Sequence, residues 1–123
     1  MARVTADEIP PPNCRKCGEV ASRYITRRSN RNGNVGRPYY RCCKDFYSFA
    51  DLRGYHPYNP RCDCGLPSRM QIAGRERRTA GGLHFVCTGG LCDFYSELVD
   101  EDGEQERVND TAIIDLLQRL RLI

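Results

Sequence analysis

The chain has 123 residues, eight cysteines, no tryptophan and a formal net charge of +3. That length suffices for one ordinary domain or two very small ones. Modules of about 40 residues usually need a cross-link, such as a metal ion or disulfide bonds, to fold. No run of 18 apolar residues is present, which excludes a membrane-spanning helix of ordinary composition.

The start of the chain bears on the redox state of the cysteines. Residues 1–12 carry charges and lack the apolar stretch of a signal peptide. We therefore expect an intracellular protein, nuclear rather than cytoplasmic, whose clustered thiols bind metal. A disulfide scaffold is the alternative, because the number of cysteines is even.

Composition and spacing divide the chain into six segments. Pro10-Pro11-Pro12 ends the first, and a run of prolines favours extended backbone. The predicted segments are a flexible arm (1–12), a first zinc ribbon (13–51), a linker (52–60), a second zinc ribbon (61–99), an acidic hinge (100–108) and an amphipathic helix (109–123).

The first module carries four cysteines with the spacing of a metal site. Cys14 and Cys17 open it, and Cys42 and Cys43 follow on a returning segment. Zinc takes four ligands in a tetrahedron. Because adjacent side chains on a strand point to opposite faces, Cys42 and Cys43 can share one ion only if the strand bends there. The alternative is that one of them is a free thiol and that His56 supplies the fourth ligand.

Between these cysteine pairs the sequence has the pattern of a β-hairpin. Residues 22–26 and 38–41 alternate in polarity, which predicts strands. Residues 30–34, Asn-Arg-Asn-Gly-Asn, have the composition of a turn. The predicted fold class is therefore small, metal-stabilised and mostly β: two tandem ribbons, each a short antiparallel sheet, followed by an α-helix.

The second module repeats the layout with Cys62, Cys64, Cys87 and Cys92. Two sets of four thiols predict two zinc ions. Four cysteines leave no open coordination position, so we expect structural sites and no enzyme activity. Iron–sulfur ligation is an alternative, and an open zinc position at the less regular first site is the one route to catalysis.

Three motifs resemble those of a known family. They are Gly-Arg-Pro-Tyr-Tyr-Arg-Cys at 36–42, Cys-Asp-Cys-Gly at 62–65 and Cys-Asp-Phe-Tyr at 92–95. Over residues 13–99 the chain resembles the GRF-type zinc finger, and particularly the GRF-like zinc ribbons that occur in tandem in small fungal proteins. The resemblance implies binding of single-stranded DNA, mainly by the first module, since the second has Gly82 where the family arginine would stand.

Positive charge is concentrated in the first module. Lys and Arg outnumber Asp and Glu by nine to two over residues 14–49 and by five to three over 61–96, whereas the acidic residues lead by eight to three from residue 97 onward. Arginines bind phosphates and aromatic rings stack on bases, so we predict contact with nucleic acid, DNA or RNA, preferably single-stranded. The predicted contact residues are Arg23, Arg27, Arg28, Arg31, Arg37, Tyr39, Tyr40, Arg41, Arg69, Arg75, Arg77 and Arg78.

The same residue types also have a simpler interpretation. The arginines can form an ordinary solvated face. Phe85 and Phe94 are further candidates for stacking on bases, but they, like Phe46 and Phe49, are the kind of side chain that a small ribbon uses as core.

The last segment predicts a helix that needs a partner. Asn109 or Asp110 can cap its start, and basic residues suit its end. At about 14 residues it would be marginally stable alone, so we expect it to dock on the ribbons, to dimerise or to bind another protein. The predicted contact residues are Ile113, Leu116, Leu117 and Leu120, with Ile123 on the same stripe. A protein-interaction adaptor is therefore the alternative function.

Overall fold

The computed structural model describes residues 9–29, 34–73, 81–120 and 122–123. Within them it contains two three-stranded antiparallel sheets and a C-terminal helix, as the sequence predicts. The elements are β1 (Ser22–Ile25), β2 (Pro38–Cys42), β3 (Asp45–Phe49), β4 (Arg69–Ile72), β5 (Leu83–Val86), β6 (Tyr95–Glu97) and α1 (Thr111–Arg119). In this part of the chain no helix is long and apolar enough to cross a membrane.

The first sheet has the order β1-β2-β3 and gathers four of its aromatic rings on one face. Tyr24 lies opposite Tyr39, and Tyr39 lies opposite Phe49. The register between β2 and β3 then shifts, because Tyr47 is an extra residue on β3. The shift brings Phe46 to the same face as Phe49, which regular alternation over three residues would not do.

A two-residue turn joins β2 to β3. Cys42 pairs with Asp45, and between them Cys43 and Lys44 have φ values of 51° and 68°. Two consecutive left-handed residues form a type I′ turn, whose twist suits a hairpin. Asn and Gly usually occupy such positions, since a Cβ atom disfavours this backbone. Cys43 and Lys44 therefore hold a conformation that their own side chains disfavour.

The second sheet has the order β4-β5-β6, and the predicted linker extends its edge. Tyr55 forms a β-bridge with Arg69, and the backbone N–H of Met70 donates to the carbonyl of Gly54 at 2.9 Å. The amide of Asn59 donates to the Gly54 carbonyl at 2.9 Å. The segment that connects the ribbons is therefore paired with β4 rather than free.

The acidic segment 100–108 also pairs with the second sheet. The N–H of Leu83 donates to the carbonyl of Glu106 at 2.9 Å, and the N–H of Val108 donates to that of Gly81 at 2.8 Å. These bonds use backbone groups, so the acidic composition that suggests a hinge does not prevent them. The segment is held along the start of β5.

Few apolar side chains are buried in the described ranges. Apart from Pro12 and Pro67, the buried set is Cys14, Ala21, Cys62, Phe85, Cys87 and Ile123. Three of the six are metal-site cysteines, so thiols occupy the places where a larger domain has aliphatic residues. Pro12, which the sequence assigns to the arm, is fully buried, and its carbonyl accepts a hydrogen bond from Ala21 at 2.9 Å. The first ribbon therefore includes at least this part of the predicted arm.

A buried ion-pair network joins the two ribbons, and we call Arg37, Asp51 and Arg69 the inter-ribbon clamp. Arg37 Nε lies 2.6 Å from Asp51 Oδ2, and Arg69 Nη1 lies 2.8 Å from Asp51 Oδ1. Arg69 Nη2 also donates to the carbonyls of Phe49 and Thr88 at 3.1 and 2.8 Å. One carboxylate thus connects the end of the first ribbon to β4 of the second.

The helix α1 begins where its capping signal predicts. Asp110 Oδ1 accepts a hydrogen bond from the N–H of Ala112 at 2.9 Å. Ile113, Leu116 and Leu120 of the apolar stripe are 48%, 46% and 57% exposed. Most of the predicted contact stripe therefore faces solvent, with Leu117 half-buried.

Candidate metal centres and nucleic-acid interface

The four cysteines of the first ribbon converge on one point. The Sγ atoms of Cys14, Cys17, Cys42 and Cys43 all lie within 4.8 Å of one another. The Cys17–Cys42 and Cys42–Cys43 separations are 3.6 and 4.0 Å. Sulfurs around a tetrahedral zinc ion, with Zn–S bonds of about 2.3 Å, are about 3.8 Å apart. The arrangement fits one zinc ion, and its sulfurs are too far apart for disulfide bonds.

The type I′ turn explains how two adjacent cysteines reach the same ion. The left-handed backbone at Cys43 ends the alternation of β2, so its thiol joins that of Cys42. His56 lies outside this cluster: its Nδ1 accepts a hydrogen bond from the N–H of Tyr58 at 3.1 Å, and its ring packs against that of Tyr58. Cys43, and not His56, completes the site.

The chain around the first site supports a thiolate. The N–H of Lys16 and the hydroxyl of Tyr47 each donate to Cys14 Sγ at 3.4 Å. The Tyr47 oxygen accepts from the N–H of Arg15 at 3.0 Å. The hydrogen bond from Tyr47 lowers the pKa of Cys14 to about 6, which favours the thiolate form that zinc binds. The extra residue of β3 therefore serves the metal site.

The second ribbon repeats the metal site. The Sγ atoms of Cys62, Cys64, Cys87 and Cys92 also lie within 4.8 Å of one another. Gly65, at a φ of 81°, turns the backbone past the first pair. The two sites fit the two predicted zinc ions, and when bound, each ion cross-links the two cysteine pairs of its ribbon.

A row of four rings crosses one face of the first sheet. The ring centroids of Tyr24 and Tyr39 are 5.7 Å apart, those of Tyr39 and Phe46 are 6.0 Å apart, and those of Phe46 and Phe49 are 5.0 Å apart. Tyr24 and Phe46 are 48% and 50% exposed. We call these four residues the aromatic row. Exposed rings of this kind offer faces on which planar ligands can stack.

Two arginines lie beside the aromatic row. Arg41 is exposed and pairs with Phe46 in the register of β2 and β3, so it shares the face of the rings. Arg27 is exposed and lines a shallow cavity of about 270 Å³ together with Tyr39, Phe46 and Phe49. The face therefore combines ring surfaces with positive charge.

Two predicted phosphate contacts are wrong, because Arg37 and Arg69 lie in the inter-ribbon clamp. They are 7% and 1% exposed, and the Arg37 guanidinium lies 3.6 Å from the ring centroid of Phe49. Burial lowers the pKa of Arg69 to about 10, so it stays charged at neutral pH. Burial opposes the ionisation of Asp51, but the hydrogen bonds and charges of Arg37 and Arg69 outweigh it and hold the pKa of Asp51 below its ordinary value.

The other predicted contact residues are distributed over several surfaces. Arg23 and Arg28 are exposed, whereas Tyr40 is half-buried and pairs with Arg23 on the face opposite the aromatic row. Phe85 is core at 6% exposure, and Phe94 is half-buried. Arg31, Arg75, Arg77 and Arg78 lie outside the described residues.

The sequence-based list of contact residues does not include Tyr24 and Phe46. Tyr24 could have been predicted, because it is an aromatic residue on a predicted strand next to Arg23, which the list does include. Phe46 could not, since its orientation depends on the extra residue at Tyr47.

Two antiparallel sheets, each with a site of four thiolates, define a tandem zinc-ribbon protein. Residues 11–53 match the family model described as a GRF-like zinc ribbon domain, which confirms the resemblance for the first ribbon. Among solved structures, the crystal structure of the human NEIL3 tandem zinc finger GRF domains is similar: the sequences are 26% identical, the match covers 70% of this chain and 96% of that chain, and the TM-score is 0.28. No curated protein matches the chain.

Proposed function

We propose that this protein binds single-stranded nucleic acid, with DNA as the favoured ligand, through the aromatic row together with Arg27 and Arg41. The exposure of Tyr24 and Phe46 carries the proposal. These two large rings lie half in solvent, each next to Tyr39 in the row, although few apolar side chains are buried in the described part of the chain. Contiguous exposed apolar surface of this kind is typical of a binding site. The match of the first ribbon to the GRF-like family supports the same function.

The chemistry of the face favours single strands over duplexes. Bases in a duplex stack on one another, whereas an unpaired base can place its face on a protein ring. Stacking accepts any base, so we expect weak sequence preference. The exposed Arg23, Arg27, Arg28 and Arg41 supply the phosphate contacts, which makes binding weaken with added salt.

The proposal includes the absence of catalysis and, for a DNA ligand, a nuclear location. Each zinc site has four cysteines as ligands, which leaves the metal no open position for a water or substrate. The metals therefore act on the fold and not on the nucleic acid.

Fluorescence anisotropy of labelled oligonucleotides tests the proposal. We expect the zinc-loaded protein to bind oligothymidylate more tightly than a duplex, with affinity that falls steeply between two salt concentrations. Tyr24→Ala and Phe46→Ala should each weaken single-strand binding by about 1–3 kcal/mol, the usual value of one stacked base. Tyr58→Ala is the matched control, because Tyr58 is 86% exposed but lies outside the aromatic row. Equal affinity for duplex, or variants that bind like the unchanged protein, would contradict the proposal.

A protein-interaction adaptor is the second candidate function. The observation that favours it is the exposed stripe of Ile113, Leu116 and Leu120 on α1. Leu116→Gln with Leu120→Gln should then abolish an oligomer detected by sedimentation or a captured partner, and should leave oligonucleotide affinity unchanged. A monomer with no partner in both forms would speak against the adaptor.

A further inference from the structure

A groove runs between the two ribbons. Its volume is about 650 Å³, and both sheets contribute to its walls. Phe46, Tyr47 and Lys44 line it from the first ribbon, and Phe94 and Tyr95 line it from the second. We call this cavity the inter-ribbon groove. It is the larger of the two cavities described, and although Tyr47 also serves the first metal site, neither the metal sites nor the clamp accounts for Phe46, Phe94 and Tyr95.

The groove is continuous with the aromatic row. Phe46 lines both the groove and the shallow cavity that contains Arg27 and Tyr39. A ligand that stacks on the row therefore meets the mouth of the groove at Phe46. If the aromatic row ended in solvent instead, a ligand bound to it would contact only the first ribbon.

The second ribbon has its own pair of stacked rings on the other side of the inter-ribbon groove. His84 and Tyr95 have centroids 5.2 Å apart and planes inclined by 28°, and Tyr95 is 57% exposed. Tyr95 pairs with Val86 across β5 and β6, and both line the groove. In the internal repeat His84 occupies the position of Tyr39, and in the strand register Tyr95 lies opposite Val86 as Phe46 lies opposite Arg41.

Several cations line the groove, and most of them are paired with carboxylates. Arg15 pairs with Asp93, and Lys16 pairs with Asp45 at 3.1 Å. Among the described residues no ion pair involves Lys44, which is exposed at the tip of the β2–β3 turn. Its ammonium group is thus available to a phosphate in the groove.

We propose that a single strand runs from the aromatic row, through the inter-ribbon groove and past Lys44, onto His84 and Tyr95, so that both ribbons bind one continuous strand. This inference rests on the proposed function and adds a second binding surface to it. The clamp supports it, because Asp51 fixes the second ribbon against the first and so holds the two ring surfaces in one orientation.

Oligothymidylates of two lengths, about four and about twelve nucleotides, test the inference by anisotropy on the full chain. Tyr95→Ala should weaken binding of the longer strand at least fivefold and leave that of the shorter strand unchanged, since the shorter one is satisfied by the aromatic row. Tyr58→Ala should alter neither. Circular dichroism and zinc content of each variant establish that it is folded.

The outcomes separate the two proposals. If Tyr24→Ala weakens both lengths and Tyr95→Ala weakens neither, the proposed function stands and the continuous path is overturned. If the unchanged protein binds neither length at low salt, both proposals are overturned. Equal losses for both lengths in Tyr95→Ala would also overturn the path, because the second ribbon would then be part of the minimal site.

Salt dependence gives an independent measurement for Lys44. Each phosphate neutralised on a single strand contributes about −0.7 to the slope of log K against log salt. Lys44→Gln should therefore make the slope for the longer strand less steep by about that amount and leave the slope for the shorter strand unchanged. An unchanged slope for the longer strand would remove Lys44 from the path.

Discussion

Asp51 and Arg69 belong to different ribbons, yet Asp51 Oδ1 accepts a hydrogen bond from Arg69 Nη1 at 2.8 Å. The Arg69 side chain is 1% exposed, so its charge is removed from water and depends on Asp51 for compensation. A buried charge of this kind stabilises little by itself, but it becomes costly when its partner is lost.

Asp51→Asn should therefore destabilise the zinc-loaded protein by about 3 kcal/mol, since Arg69 would remain buried without its counter-ion. Asp45→Asn is the control, because Asp45 pairs with Lys16 where both side chains are about half exposed or more, at 47% and 63%. We expect the control to lose little stability, because solvent screens this exposed pair. Urea unfolding of the two variants provides the measurement, and equal losses would contradict a buried clamp.

The pH dependence of the clamp follows from the pKa of Asp51, which the two arginines hold below its ordinary value. A carboxyl whose pKa is lower in the folded state adds stability above its unfolded pKa, and this stability is lost as the pH falls through the folded value. The difference in unfolding free energy between the unchanged protein and Asp51→Asn should thus stay constant from pH 8 to about 5. A difference that already shrinks between pH 8 and 6 would be inconsistent with this assignment.

The β2–β3 turn predicts a stabilising substitution. Lys44 has a φ of 68°, which a residue with a Cβ atom adopts at a cost of about 1 kcal/mol. Lys44→Gly should raise the free energy of unfolding by up to that amount. Lys44→Ala removes the same charge but keeps the Cβ atom, so it should give no such gain. Thermal unfolding at a fixed zinc concentration distinguishes the two variants. Equal effects would mean that the change in stability comes from the lost charge and not from the backbone conformation.

Metal content tests the ligand assignment. Elemental analysis should find two zinc ions per chain, because two clusters of four thiols are present. Cys43→Ser and Cys92→Ser should each lower zinc affinity at one site and leave the other site filled. His56→Ala should retain both ions, as His56 lies outside the first cluster. Loss of an ion in His56→Ala would reverse the assignment of Cys43.

Gly54 marks the contact between the linker and β4. A Cβ atom at this position would lie 2.0 Å from the carbonyl oxygen of Met70, and the φ of Gly54 is 79°. Gly103 has a φ of 80°, but a Cβ atom built there would have no atom of the described residues within 4 Å, its chain neighbours aside. Gly103→Ala should therefore cost about 1 kcal/mol from backbone strain alone, and Gly54→Ala clearly more, as the strand pairing must open. Similar losses in urea unfolding would argue against the paired linker.

The metal sites show what the sequence could predict. The spacing of Cys62, Cys64, Cys87 and Cys92 was sufficient to place a four-thiol site, because ligand spacing reflects the geometry of the ion. At the first site, binding by both Cys42 and Cys43 depends on the left-handed turn at Cys43, which no propensity for cysteine predicts. Only the structure shows that turn.

The binding face shows where sequence reasoning fails. Arg37 has the same local features as an exposed arginine, but Asp51 and the ring of Phe49 lie close to its guanidinium in the fold. Charge counts cannot separate the two cases, since burial depends on contacts between distant residues. The extra residue at Tyr47 is equally invisible, and it alone decides that Phe46 joins the aromatic row.

The pairing of residues 54 and 55 with β4 means that the repeat in the sequence is not the unit that folds. A fragment that began at the repeat boundary, residue 61, would lack both the edge partner of Met70 and the carboxylate that neutralises Arg69. We therefore expect the two modules to unfold together, because the second sheet relies on contacts with Asp51 and with residues 54 and 55 that precede it in the chain.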